Sequence, residues 1–272
     1  LAAAHLDLAL ALAAGYDLPA ALVQTSEAVR LAPQSGVAHF FHGRVLYDLS
    51  RTNEARSEFE TATRLNQRMP EPRYFLALIN KQEGNYSQAA SLLQETVKLQ
   101  PGNARAWSML GDCLEHEADI ENALAAWRKA IAIDPKYSQA LFSLARALRS
   151  TNRAESDAVM ERYTAVQKEH RIMDRADTLA NNGVEAATVH DWPEAIRQLN
   201  EAIAACGDCA SIADLHRKLC IIECQAGELD KGEKELLVAK GLKPTDPVTQ
   251  AALELVARAR SQHPASAAGK PN

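Results

Sequence analysis

Small and bulky apolar side chains recur along this chain at a constant step of 34 residues. In the stretch that opens at Ala104, Trp107, Leu110, Gly111 and Leu114 share one helical stripe, Ala123, Trp127 and Ala130 share another, and Pro135 follows. Spacings of three and four residues return side chains to one face of an α-helix, so each period predicts two amphipathic helices with a break between them. The same sites hold Ala77, Ala89, Leu93 and Pro101 one step earlier, then Gly43, Ala55, Phe59 and Ala62, then Ala9, Ala21, Ala28 and Pro33. Small residues let helix axes approach, and bulky ones fill the remaining gaps. Where proline stands at the end of a unit, as at Pro33, Pro101, Pro135 and Pro244, it stops the second helix. Leu18, Tyr86, Ile120, Trp192 and Leu229 open the second helices and plug the intervening turns, with Thr52 the weakest of the set.

Beyond Ser138 the step loosens. Leu141, Leu144, Ala145 and Leu148 keep it, but one inserted residue is needed to bring Ala158 to the small site. Gly183, Ala195, Leu199 and Ala202 resume the pattern, and after a slip of three residues so do Leu219, Cys220, Gly232, Leu236, Ala239 and Pro244. The predicted units are 2–35, 36–69, 70–103, 104–137, 138–175, 176–209 and 213–246. A further amphipathic helix over 247–262 serves as a cap, and 263–272, rich in Pro, Ala and Gly, is expected to be a disordered tail.

Over roughly residues 2–262 this pattern resembles the tetratricopeptide repeat. The resemblance implies an all-α fold, a right-handed α-α superhelix of about seven helix pairs plus the C-terminal capping helix, in one solenoid domain. A single pair cannot bury its apolar face alone, so pairs must stack. In that family the first helices line a concave groove. The matching positions here include Phe40, Phe41, Arg44, Tyr47, Tyr74, Phe75, Arg105, Met109, Phe142, Arg146, Arg149 and Arg217. Aromatic anchors beside arginines suit a peptide, because both residue types dominate interface energetics and Arg grips carboxylates bidentately. The family's carboxylate clamp for chaperone tails is not supplied by any three consecutive units. The resemblance therefore implies a non-enzymatic scaffold holding a peptide or protein segment.

An alternative follows from the first helix. Leu1 to Ala14 carries only His5 and Asp7 as polar residues and lacks a clear N-cap, leaving Leu1, Leu6 and Leu8 to be covered. Solenoid ends need polar caps, so a structural subunit joining end to end into a homo-oligomer or filament is the second expectation.

Composition narrows the partners. Apolar residues at 47%, 24% charged residues and 50 alanines against 5% aromatics favour packed helices over sheets or disorder. The net charge of −5 argues against nucleic acid, and the seven-residue apolar run from Leu8 to Ala14 is far too short to span a bilayer. The chain opens on Leu1 rather than methionine, which together with Cys206 and Cys209 tilts the expected compartment towards export.

Chemistry is sparse. Cys206, Cys209, Cys220 and Cys224 could close a tetrahedral zinc site, but Cys220 occupies a small-residue site and packing already explains it. Free or structural thiols are the main reading, a disulfide and a metal the others, and Cys113 is expected to be inert. The run from Gly227 to Glu233 lacks the lysine of a phosphate loop. His5 and His39 fall on bulky packing positions, and neither a metalloprotease histidine pair nor a nucleophile elbow occurs. Asn85 sits in a glycosylation sequon. No cofactor and no catalytic set are expected.

Overall fold

The computed structural model describes residues 1–262, and every regular element among them is an α-helix. The chain divides into two compact units after Tyr163. The first contains α1 (Ala2–Ala14), α2 (Leu18–Leu31), α3 (Gly36–Asp48), α4 (Thr52–Leu65), α5 (Pro70–Gln82), α6 (Tyr86–Leu99), α7 (Ala104–His116), α8 (Ile120–Ile133), α9 (Ser138–Leu148) and the start of α10 (Arg153–Thr188). Helices α1, α3, α5 and α7 each pack on the even-numbered helix that follows, and α3, α5, α7 and α9 each pack on the helix before them. The second unit holds the rest of α10 with α11 (Trp192–Cys206), α12 (Ile212–Gln225), α13 (Leu229–Leu242) and α14 (Pro247–Gln262).

The small sites do what the spacing requires. Ala21, Ala28, Ala55, Ala62, Ala77 and Ala89 are fully buried, as are Phe59 and Trp127 that fill between them. Gly43 and Gly111 lie directly under the rings of Phe59 and Trp127, where a methyl group would collide. The first unit's core joins Phe40, Leu46, Phe59, Leu76 and Ile79. In the second unit Ala176, Ala180, Leu199, Leu215, Leu219 and Ile222 form the core.

Six of the turns within pairs, all but the one between α9 and α10, share one construction. Tyr16, Ser50, Gly84, Ala118, His190 and Gly227 all take left-handed backbone with φ between 60° and 86°. The next residue then donates its N–H back to a carbonyl of the helix just ended, as in Asp17 to Leu12 (2.9 Å), Arg51 to Leu46 (2.8 Å) and Asp119 to Leu114 (2.9 Å). This reverse bond closes the helix in the manner of a Schellman motif. Asp17, Asp119 and Asp191 then accept from the N–H of Ala20, Asn122 and Glu194, capping the following helix.

Two departures from the sequence pattern have local causes. Between Arg153 and Thr188 the chain is one continuous helix, where two helices joined by a turn near residue 175 are expected. No glycine or proline occurs from Arg153 to Asn182, and the stretch Lys168 to Ala176 is dominated by good helix formers. The turn before α10 is also shorter than the pattern requires, not longer. Ala158 is therefore exposed, and buried Ser156 fills the small site, donating to the carbonyl of Ala145 at 2.7 Å. The helix over 247–262 is present as α14. The expected tail at 263–272 lies outside the described residues.

Candidate functional site

The predicted groove residues of the first unit sit on α3, α5, α7 and α9, the leading helices of consecutive pairs. Their environments differ. Phe40 and Met109 are each only 7% exposed and belong to the core. Phe40 stacks among Phe41, Phe59 and Phe75 with ring centroids 5.2 to 6.1 Å apart, so it is a strut for the aromatic surface rather than part of it. Met109 faces inward because its place on α7 falls between the buried Ser108 and Leu110.

The accessible aromatic patch is Phe41, Tyr47, Tyr74 and Phe75, all half-buried. Phe75 is its centre: Tyr47 and Tyr74 meet it edge-on at 5.7 Å, and Phe59 stacks beneath it at 5.1 Å. The Arg44 guanidinium lies 5.1 Å over the Phe75 ring while its Nε donates to Asp48 at 3.2 Å. Packing from both sides thus fixes an otherwise flexible arginine. Beside it, Phe41, Arg44, Val45 and Asp48 of α3 and Leu10 and Ala13 of α1 enclose a cavity of about 280 Å³. Burial pushes the Tyr74 hydroxyl up from its ordinary pKa, and the nearby Arg105, which shares a hydrogen bond with it, partly offsets that.

Further along the row the surface is polar and self-satisfied. The Asp112 carboxylate accepts from Lys81 Nζ at 2.8 Å, Trp127 Nε1 at 3.1 Å and Ser143 Oγ at 3.4 Å. Arg146 pairs with Glu115, and Gln82 donates to the Tyr47 hydroxyl at 2.7 Å. Phe142 is exposed and packs at 5.4 Å against Tyr163. Arg149 is exposed at the end of α9. The sequence reading missed this ladder, although its signal was available: Lys81 and Asp112, Asp112 and Ser143, and Glu115 and Arg146 are each 31 residues apart. That spacing joins the same faces of adjacent leading helices. Arg217, in the second unit, is held by Asp214 and Asp246.

The cysteines do not assemble into a metal centre. Cys206 and Cys209 are joined in a disulfide, while Cys220 and Cys224 lie on α12 with their sulfurs 3.9 Å apart. Burial pushes the Cys220 thiol up to about 12 and Cys113 up to about 11, away from reactive thiolate. No group of three or more potential ligands converges among the described residues. His39 Nε2 donates to the Pro33 carbonyl at 3.0 Å and its Nδ1 pairs with the Glu58 carboxylate at 2.6 Å, and His5 Nδ1 meets Gln24 Oε1 at 2.7 Å. Both are packing elements. No described helix is long and apolar enough to cross a membrane. Leu1 and Leu8 are exposed on α1, and Leu6 is half-buried.

Residues 80–138 match the family model for the tetratricopeptide repeat. That segment carries the tetratricopeptide repeat, and the whole chain has the all-α fold of tetratricopeptide-repeat structures. Among similar solved structures is MamA 41-end from Desulfovibrio magneticus RS-1, at 19% identity and TM-score 0.53, covering 62% of this chain and 95% of that one. Another is PilF of Pseudomonas aeruginosa, at 14% identity and TM-score 0.50, covering 93% of this chain and 97% of that one. At these identities the likeness concerns the fold. A curated relative, transcription factor tau subunit sfc4 of Schizosaccharomyces pombe, is 34% identical over 73 residues. That match takes in 25% of this chain and spans 7% of the relative's length. The all-α repeat fold is a scaffold suited to protein–protein interaction, and its aromatic patch is the part of the first unit's leading-helix face that combines accessible apolar area with a fixed cation.

Proposed function

We propose that the first unit binds a peptide or protein segment along its leading helices without catalysing a reaction, anchored at Phe41, Tyr47, Tyr74 and Phe75. The observation that carries this reading is the Phe75 cluster, where half-buried Tyr47 and Tyr74 meet Phe75, Phe41 joins them through buried Phe40, and Arg44 stacks on the Phe75 ring. Rings already held by Phe40 and Phe59 lose little freedom on binding, which favours affinity. Arg44 and Arg105 supply the polar contacts. Arg146 and Arg217 spend terminal guanidinium nitrogens on their acids, whereas Arg44 engages Asp48 through Nε alone, so the first two contribute orientation more than grip. The cavity between α1 and α3 would take a single apolar side chain.

The test is affinity selection of displayed random peptides on the full chain, followed by titration of the selected sequences against Phe41→Ala with Arg44→Ala. The double variant should bind at least tenfold more weakly while circular dichroism reports retained helix. Equal binding to both proteins refutes the assignment.

A second reading, self-association through α1, rests on exposed Leu8 and Leu10 on that helix. Sedimentation over a wide concentration range decides it: a mass that stays monomeric, or that Leu8→Asp leaves unchanged in an oligomer, removes the idea.

A further inference from the structure

We propose that the first unit carries a second docking site on its other side, a trough over Trp107 between α6 and α8 that takes an acidic segment with one bulky apolar side chain. In three other pairs the leading helix presents a histidine that is closed over by a polar side chain 19 residues later: His5 by Gln24 at 2.7 Å, His39 by Glu58 at 2.6 Å, and His216 by Glu235 at 2.5 Å. At the matching place on α7 stands Trp107, and 19 residues on is Ala126. An alanine cannot reach over the ring. Trp107 spends its one donor on the Pro101 carbonyl at 2.9 Å, which fixes the indole in place. The result is a cavity of about 420 Å³ with Val97, Leu110 and Ala126 forming its apolar wall around the indole.

The rim supplies the complement. Lys98 from α6 and Lys129 from α8 stand exposed on either side, and neither makes an ion pair or hydrogen bond among the described residues. No carboxylate lines the trough, although the chain as a whole carries −5. Glu95, the nearby acid on α6, is engaged by Arg73 at 2.8 Å, and Asp119 at the start of α8 accepts from Asn122 at 2.8 Å. Two unpaired ammonium groups flanking a confined apolar slot fit a side chain followed by acids. A lipid surface would ask for a broad basic face, which is not present here. Trp107, Leu110 and Leu114 lie on the opposite side of α7 from Arg105 and Asp112, so this site is separate from the groove proposed above and does not depend on it.

The experiment selects displayed random peptides on the full chain bearing Phe41→Ala and Arg44→Ala, which disables the first groove. Selected sequences should be rich in Asp and Glu around a Leu or Phe. They should lose at least tenfold in affinity for Lys98→Glu with Lys129→Glu, and for Ala126→Glu, which places in this pair the acid that Glu58 and Glu235 supply in two others. Lys98→Arg with Lys129→Arg should bind as before. In the otherwise unaltered chain the selected peptide should shift the indole N–H resonance of Trp107 and leave that of buried Trp127 in place. Failure to select acidic peptides, insensitivity to the charge reversals, or binding only to phosphatidylserine vesicles overturns the proposal. Loss of the first groove's binding alone leaves these outcomes unaffected.

Discussion

At the residue scale the array is governed by contacts too close to tolerate one added carbon. A Cβ on Gly111 would sit 2.5 Å from Trp127 Nε1, and Trp127 is fully buried with that nitrogen bound to Asp112. Helix propensity alone favours Gly111→Ala by about 1 kcal/mol. The indole cannot retreat without breaking its bond and opening the core, which costs on the order of 1–3 kcal/mol or more. The clash wins, and Gly111→Ala should lower the melting temperature by several degrees in a thermal scan. Glu223 gives a second residue-level expectation. Burial, reinforced by the Glu235 and Glu228 carboxylates, pushes its pKa up to about 7. One of its carboxyl oxygens lacks a hydrogen-bond partner. A folded pKa above the unfolded value near 4.5 means the folded state binds the extra proton, so stability falls as pH rises from about 4.5 to 7. Glu223→Gln should remove most of that slope and raise the melting temperature at pH 8. An unchanged pH profile would show that Glu223 is solvated.

At the element scale the turns explain both what the sequence showed and what it hid. Helix pairs were legible because small and bulky residues recur on fixed stripes, and Pro33 and Pro101 mark where pairs end. The left-handed residue that closes each leading helix was not legible, because only Gly84 and Gly227 among the six are glycine, while Tyr16, Ser50, Ala118 and His190 hold the same backbone by virtue of the bonds around them. A side chain in left-handed backbone costs about 1–2 kcal/mol, partly offset in glycine by the entropy of the unfolded chain. Ala118→Gly should therefore raise the stability of the protein by up to about 1 kcal/mol in a denaturant titration, whereas Gly84→Ala should lower it. The fusion within α10 was hidden for a different reason. Gly183 at a small-residue site reads as part of a new leading helix opening at 176, and nothing in periodicity distinguishes a new helix from a continued one when no breaker intervenes.

At the scale of the whole molecule, side-chain partners across pairs decide which surfaces are open. The sequence placed Phe41, Arg44, Tyr47, Tyr74 and Phe75 on leading helices, where the structure has them. It could not tell that Phe40 and Met109 turn inward, because neighbouring positions on a helix differ by a fraction of a turn and packing against adjacent helices settles which side is buried. Nor could it show that Arg146 pairs with Glu115 on α7 or that Arg217 reaches Asp246, since those acids lie 31 and 29 residues away in the chain. The central claim is that the Phe75 cluster receives the partner. Hydrogen–deuterium exchange of the full chain with a peptide selected on it tests this most directly. The account predicts added protection in α1, α3 and α5, with α4 little changed. Protection absent from α3 and α5 and appearing elsewhere in the chain would contradict it.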